Sequence, residues 1–215
     1  MSKIIKIDSP KISSNLETAS FQDIFYKEEP ELINCAISNS QIDNESIDRL
    51  ILSKVKFKSM TFLNSTFNHA ELTDVIFENC NLSNAIFTSA NIHRVVFKDC
   101  KLVGIDLANS SLGNVLFENC ELNLSNFADS RLKEVRFDNT PLKSSNFFNS
   151  KLIKVNLIKC NINDIDFTST KLKGIDISTC FFESINVTPE SLAGCQVSSN
   201  QAIGFSYLLG LKVKD

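Results

Sequence analysis

The sequence predicts an all-β chain wound as a four-sided solenoid, and three periodic features predict it. Every position ending in 2 or 7, from Ile37 to Val187, holds Leu, Ile, Phe or Val, which makes 31 pentads without one insertion. The position two residues earlier is mainly small or β-branched, as at Val55, Ser65, Ala70, Val75, Ala85 and Ala90. A period of twenty overlies the period of five. Val recurs at 55, 75, 95, 115, 135 and 155, Leu or Ile at 52 through 172, and Cys at 80, 100, 120, 160 and 180, with Thr140 in the gap.

The pentad therefore reads small, polar, large apolar, polar, polar. A helix of 3.6 residues per turn would smear this pattern around its circumference. A plain strand alternates with period two and would not hold a strict five. A chain that turns a corner in every pentad satisfies it, with two side chains inward and three outward or in the corner. The corner residue, two beyond the large apolar one, is Asn, Asp or Gly in 16 of the 31 pentads, as at Asn39, Asn64, Asn79, Asn119 and Gly174. These residues tolerate a positive φ, and Asn in that role explains a turn-rich chain with six glycines.

Four corners close one coil, hence the period of twenty. Eight coils at a spacing of about 4.8 Å make a rod roughly 38 Å long, its interior filled by stacked side chains. The pattern resembles the pentapeptide-repeat family, whose motif is A(D/N)LXX. That resemblance covers about three quarters of the chain and implies a right-handed quadrilateral β-helix of pentapeptide repeats with a short C-terminal capping helix.

The expected organisation has three parts. Residues 1–34 are read as an N-terminal cap with an irregular first coil, including a short strand at residues 4–7 and a helix around residues 21–26. Residues 35–197 are the β-helix. Residues 198–215 are a helix and tail: Ser198 and Gln201 form a capping box, Ala202, Ile203, Phe205, Leu208 and Leu209 give an apolar face, Gly210 ends the helix, and Leu211 and Val213 follow as an extended tail. This element either plugs the last coil or joins two copies. Its Gln201-Ala202 and Leu209-Gly-Leu211 resemble the C-terminal element of the Qnr-like branch of the family, and that resemblance implies a homodimer through Ala202, Ile203, Phe205, Leu208, Leu209, Leu211 and Val213.

Composition excludes several classes. Net charge is −3, without the basic excess of generic nucleic-acid binding. No run of eighteen apolar residues exists to span a membrane, and the first residues lack the apolar core of a signal peptide, so a cytoplasmic location is expected. The cysteines recur at twenty, not at zinc-motif spacing, and are read as small inward hydrophobes. His69 and His93 lie outward or at corners on successive coils, with no paired Cys. No Gly-rich phosphate loop or nucleophile elbow occurs. No catalytic residue, cofactor, metal or small-molecule substrate is expected, and no enzymatic activity.

Function must then reside on the outside. The face built on Leu52 to Leu172 carries Lys54, Arg94, Arg131, Lys133, Lys151, Lys154, Lys171 and Lys173 against Glu71, Asp74 and Glu134, a net of +5. The face built on Ile47 to Val187 is the most acidic, with Glu45, Asp48, Asp106, Asp129 and Asp166. Ile76, Val96 and Leu116 form an outward apolar column, read equally as a partner strip or as ladders that stabilise the sheet. The Qnr-like resemblance implies a rod of duplex-DNA width that binds DNA gyrase and topoisomerase IV through its acidic face and protects them from quinolones, with no direct contact to nucleic acid. The alternative is a scaffold protein for another partner.

Overall fold

The computed structural model describes residues 4–214. The described chain contains β1 (Glu17–Thr18), a 3-10 turn (Phe21–Tyr26), β2 (Glu31–Ile33) and β3 (Cys35–Ser38). Six eight-residue strands follow: β4 (Ile51–Lys58), β5 (Glu71–Glu78), β6 (Asn91–Lys98), β7 (Ser111–Glu118), β8 (Arg131–Asp138) and β9 (Lys151–Ile158). Short strands β10 (Ile165–Asp166) and β11 (Ile185–Asn186), helices α1 (Pro189–Leu192) and α2 (Ser199–Ser206), and a 3-10 turn at Tyr207–Leu209 complete it. Every pairing is parallel, and from β4 to β9 each residue faces the one twenty positions on, as in Val55↔Val75 and Phe57↔Phe77. The chain is a parallel β-solenoid of about eight turns with a short C-terminal helix.

The four faces are not equivalent. Two of them run together as the eight-residue strands, with the unbroken Val column among them, where β-branched side chains suit a pleated surface. The other two are joined by single bridges such as Thr61↔Asn81 and Thr66↔Ile86, and their corners close as hydrogen-bonded turns such as Ala85 N–H to Leu82 O at 3.1 Å.

Every corner from Asn34 to Gly174 is left-handed, whichever residue occupies it: Arg49, His69, Leu124 and Glu134 are as left-handed as Asn64. The coil needs a turn every five residues, and bonds between coils clamp it, as in Asn84 N–H to Val103 O at 2.9 Å. Where Asn does occupy the corner it forms ladders, Asn139 to Asn119 at 2.9 Å and Asn119 to Asp99 at 3.2 Å. At Gly104 the small residue has a second cause. A Cβ there would stand 2.5 Å from Asn84 Oδ1.

The core is one continuous column. Phe77, Phe97, Phe117 and Phe137 stack at 4.8, 5.0 and 4.9 Å between ring centres. Phe127 meets Phe137 edge-on at 5.8 Å. Offset and edge-on pairs of this kind are the favoured aromatic geometries. Near Phe57 and Phe77 the residual space is only about 10 Å³, too little for a bound molecule.

Each end is closed by an apolar plug. Phe21 and Ile24 of the first 3-10 turn are buried, with Phe21 5.6 Å from Phe62. At the other end Phe205 packs on Phe182, ring centres 5.8 Å apart, and the capping box of Ser198 and Gln201 is formed.

The N-terminal expectation needs a correction. Residues 4–7 form no strand, and residues 5–11 do not lie at the end of the rod. They run lengthwise down its flank as a strap. Ile5 N–H donates to Asn156 Oδ1 at 2.8 Å, Asp8 N–H to Asn114 Oδ1 at 3.0 Å and Lys11 N–H to Asp74 Oδ1 at 2.9 Å. Crossing the strands at a steep angle, the strap cannot join their ladder, so side chains supply its acceptors.

Candidate partner-binding surfaces

The five acidic residues share one long face but not one role. Asp106 and Asp166 are half-buried and serve their own corners, accepting the N–H of Ala108 at 2.9 Å and of Thr168 at 2.8 Å. Asn126 and Asn146 hold the intervening coils by the same bond, to Ala128 at 3.1 Å and Phe148 at 2.9 Å. Glu45 sits at the small inward position of its pentad and is half-buried. Its backbone N–H donates to Ser65 Oγ at 3.1 Å. Asp48 and Asp129 are exposed. Asp48 contacts His69 Nδ1 at 2.8 Å, and Asp129 accepts from Asn149 at 2.6 Å. The face is negative, but much of its charge is tied into turns.

Ile76, Val96 and Leu116 are consecutive rungs, as expected. They are half-buried rather than free, as the same pentad position is at Thr66, Ile86 and Asn126 on another face, and the strap passes beside them. Two of its anchors, Asp74 and Asn114, stand two residues from Ile76 and Leu116. The third, Asn156, continues the same column through Arg136.

The basic face divides in two. At its N-terminal half Arg94 grips Asp74 through Nε at 2.6 Å and Nη2 at 2.8 Å, with the Asp74 side chain only 5% exposed. The Arg94 guanidinium, with help from the Lys11 N–H, holds the Asp74 carboxyl below the usual carboxylate range despite its burial. Lys154 pairs with Glu134 at 2.8 Å. Toward the C-terminal half Arg131, Lys133, Lys151, Lys171 and Lys173 are exposed, and none has a carboxylate within ion-pair distance among the described residues. Arg131 and Lys151 are direct neighbours across the ladder, an arrangement that like charges disfavour.

The C-terminal element exposes most of its apolar side chains. Ile203, Tyr207, Leu208, Leu209, Leu211 and Val213 are between 44% and 66% exposed, and Ala202 is exposed as well. Phe205 differs from the other expected interface residues, since it turns inward onto Phe182 and holds the helix to the last coil. Sequence reasoning missed Phe181, which is 68% exposed beside this element. Its position before the large apolar Phe182 was the available signal.

The cysteines are structural in their contacts. Cys80, Cys100, Cys120, Cys160 and Cys180 are buried and free; the last four donate to carbonyls of the coil below, as Cys120 Sγ does to Phe97 O at 3.3 Å, while Cys80 Sγ donates to Glu78 O of its own coil. Thr140, Ser110 and Ser150 make the same bond through oxygen. The Cys120 thiol beside it, together with burial, pushes Cys100 up to about 12, and burial raises Cys195 to about 11. Among the described residues no group of three His, Cys, Asp or Glu is arranged to hold a metal ion. Among the described residues no helix is long and apolar enough to cross a membrane.

Comparison with known proteins adds the following. A family model described as "Pentapeptide repeat region" matches residues 70–147, and one described as "Pentapeptide repeats (8 copies)" matches residues 145–183. Together they span more than half of the chain. A stretch of 72 residues is 39% identical to the uncharacterized protein YisX of Bacillus subtilis (strain 168), covering 34% of this chain and 34% of that protein, so the match spans about a third of the relative's length. Among solved structures, trypsin-treated QnrB1, a plasmid-mediated fluoroquinolone resistance protein, is 19% identical over 86% of this chain and 99% of that one, with a TM-score of 0.39. HetL of Nostoc sp. strain PCC 7120, a pentapeptide repeat protein involved in heterocyst differentiation regulation, is 12% identical over 78% of this chain and 83% of its own, with a TM-score of 0.41.

Proposed function

Because this chain belongs to the pentapeptide-repeat family, we propose that it is a non-enzymatic binding rod that engages DNA gyrase or topoisomerase IV in place of duplex DNA and guards them against quinolones. The observation that carries the non-enzymatic part is the filled core. With no cavity inside, recognition falls to the outer faces and the C-terminal element. The exposed Asp48 and Asp129 supply the negative charge that a DNA-binding saddle would meet. The exposed Leu208, Leu209, Leu211 and Val213 join two copies end to end, which lengthens the rod.

The test is gyrase supercoiling in the presence of ciprofloxacin. Restored supercoiling at low protein concentration supports the proposal, whereas no effect together with no gyrase binding overturns it. Asp106→Asn and Asp166→Asn remove charge while keeping the corner bond that Asn126 and Asn146 already make, so a loss of gyrase binding there reports on charge alone. A monomer in light scattering would refute the end-to-end dimer.

A second reading is favoured by the unpaired column of Arg131, Lys151 and Lys171. It is a scaffold for an acidic protein partner. Charge reversal in that column that abolishes capture of an acidic partner, while gyrase is unaffected by the protein, would select it.

A further inference from the structure

Asp74, Asn114 and Asn156 are outward residues of the solenoid, yet they are only 3%, 9% and 8% exposed. The strap closes over them, and each lends a side-chain oxygen to a strap N–H, at Lys11, Asp8 and Ile5 in turn. The intervals agree. Asp74 and Asn114 stand two coils apart in one column, a rise of about 9.6 Å, and three extended residues span about 10 Å; Asn156 lies two coils further on and two residues to the side. The anchor set therefore reads one N–H in every three along an extended main chain laid across the coils.

Side chains add selectivity. Ile5 and Ile7 are half-buried while Ile4 and Lys6 are exposed, so one apolar edge of the strap faces the rod between the Asn156 and Asn114 anchors. One group in the column of Asn156 is left unmet. Arg136 Nε, between Leu116 and Asn156, is buried without a hydrogen-bond partner, and the Asp138 carboxylate stands 3.8 Å away.

We propose that this flank is a groove for an extended peptide, occupied in cis by residues 5–11, and that a segment of a partner protein binds by displacing them. The groove selects apolar residues at the first and third positions and an oxygen acceptor near Arg136. It rejects proline at the first, fourth and seventh positions, where an N–H is required. Pro10 of the strap itself lies between two donating positions.

The probe is a fluorescein-labelled peptide of residues 4–14, followed by fluorescence anisotropy. The full-length chain carrying Ile5→Pro and Asp8→Pro, whose strap has lost two donors, is expected to bind the peptide at least about tenfold more tightly than the unaltered chain. A peptide with proline in place of Asp8 should not bind. Asn114→Gly, which keeps the left-handed corner but removes the acceptor, and Asn156→Ala, on another coil, should each abolish binding in the released chain with the melting curve retained. Replacing Ile7 by Glu in the peptide should weaken binding, because the third position is apolar and half-buried; unchanged or tighter binding refutes that selectivity. Equal binding by released and unaltered chains, or none by a folded released chain, overturns the groove. A dimer of the unaltered chain that the peptide dissociates would assign the strap to a second copy and overturn the cis arrangement.

Discussion

The Gln201 side-chain amide donates to the backbone carbonyl of Ile177 at 2.9 Å, and to Cys180 O at 3.1 Å. These carbonyls lie where the chain leaves the solenoid for α2, and Ile177 O also accepts the Cys180 N–H at 2.9 Å. The same side chain accepts the Ser198 N–H at 2.8 Å, so one residue caps both the helix and the end of the solenoid. Gln201→Ala should lower stability by about 1–2 kcal/mol, read as a fall in melting temperature. Gln201→Glu should cost at least as much at neutral pH, since it sets a carboxylate against two carbonyl oxygens. A melting temperature equal to that of the unaltered chain for either variant would refute this.

Asp74 makes strap attachment sensitive to acid. Its folded pKa is depressed by the Arg94 guanidinium and the Lys11 N–H, with Asp8 the other nearby charge acting on Arg94. The stabilisation is thus fully present above the ordinary value of about 3.9 and is lost as pH falls through the lower folded value. Hydrogen exchange at the Lys11 amide should accelerate below about pH 4 before the solenoid core opens. In Asp74→Asn the acceleration should vanish, and stability at neutral pH should fall by on the order of 1–3 kcal/mol. Exchange at Lys11 that tracks the core at every pH would count against the assignment.

The buried thiols should be inert. Maleimide at neutral pH is expected to leave Cys80, Cys100, Cys120, Cys160 and Cys180 unmodified, because the thiolate is the reactive form and the column is closed to solvent. Cys195 is half-buried in the cap, with its thiol raised to about 11, and should be modified first as the pH is raised. Cys120→Ser should fold, since Ser110, Ser130 and Ser150 already make the equivalent bond. Rapid labelling of Cys120 in the folded chain would contradict this.

Leu124 is a residue out of place. It occupies a left-handed corner with φ 62° and is 63% exposed, so it carries the strain without the benefit of burial. Leu124→Asn should stabilise the chain by about 1 kcal/mol, seen as a higher melting temperature. A destabilised variant would show that Leu124 makes a contact that outweighs the strain.

Phe117 stacks between Phe97 and Phe137. Phe117→Ala should cost about 3–5 kcal/mol. Phe117→Leu should cost less, because Leu157 already holds that column two coils on. Chemical denaturation distinguishes the two, and equal losses would mean that shape in the stack matters little.

The legibility of these features follows from their range. The capping box at Ser198 was readable because its partners lie three residues apart. The inward cysteines were readable from their register, although their bonds to carbonyls were not. The acidic residues were found, but the engagement of Asp106 and Asp166 in their own corners was not, since a carboxylate and an amide serve that bond alike. Arg49, His69 and Leu124 gave no local sign of a left-handed backbone.

By itself the sequence determined the solenoid, its register and its filled core, because a pentad is a local instruction repeated until no other fold satisfies it. Only the tertiary structure decided the strap. Its three anchors lie 151, 106 and 63 residues from their donors, and residues 4–12 carry no repeat that could announce them. A match between the rise of two coils and the span of three extended residues exists only once the rod is built.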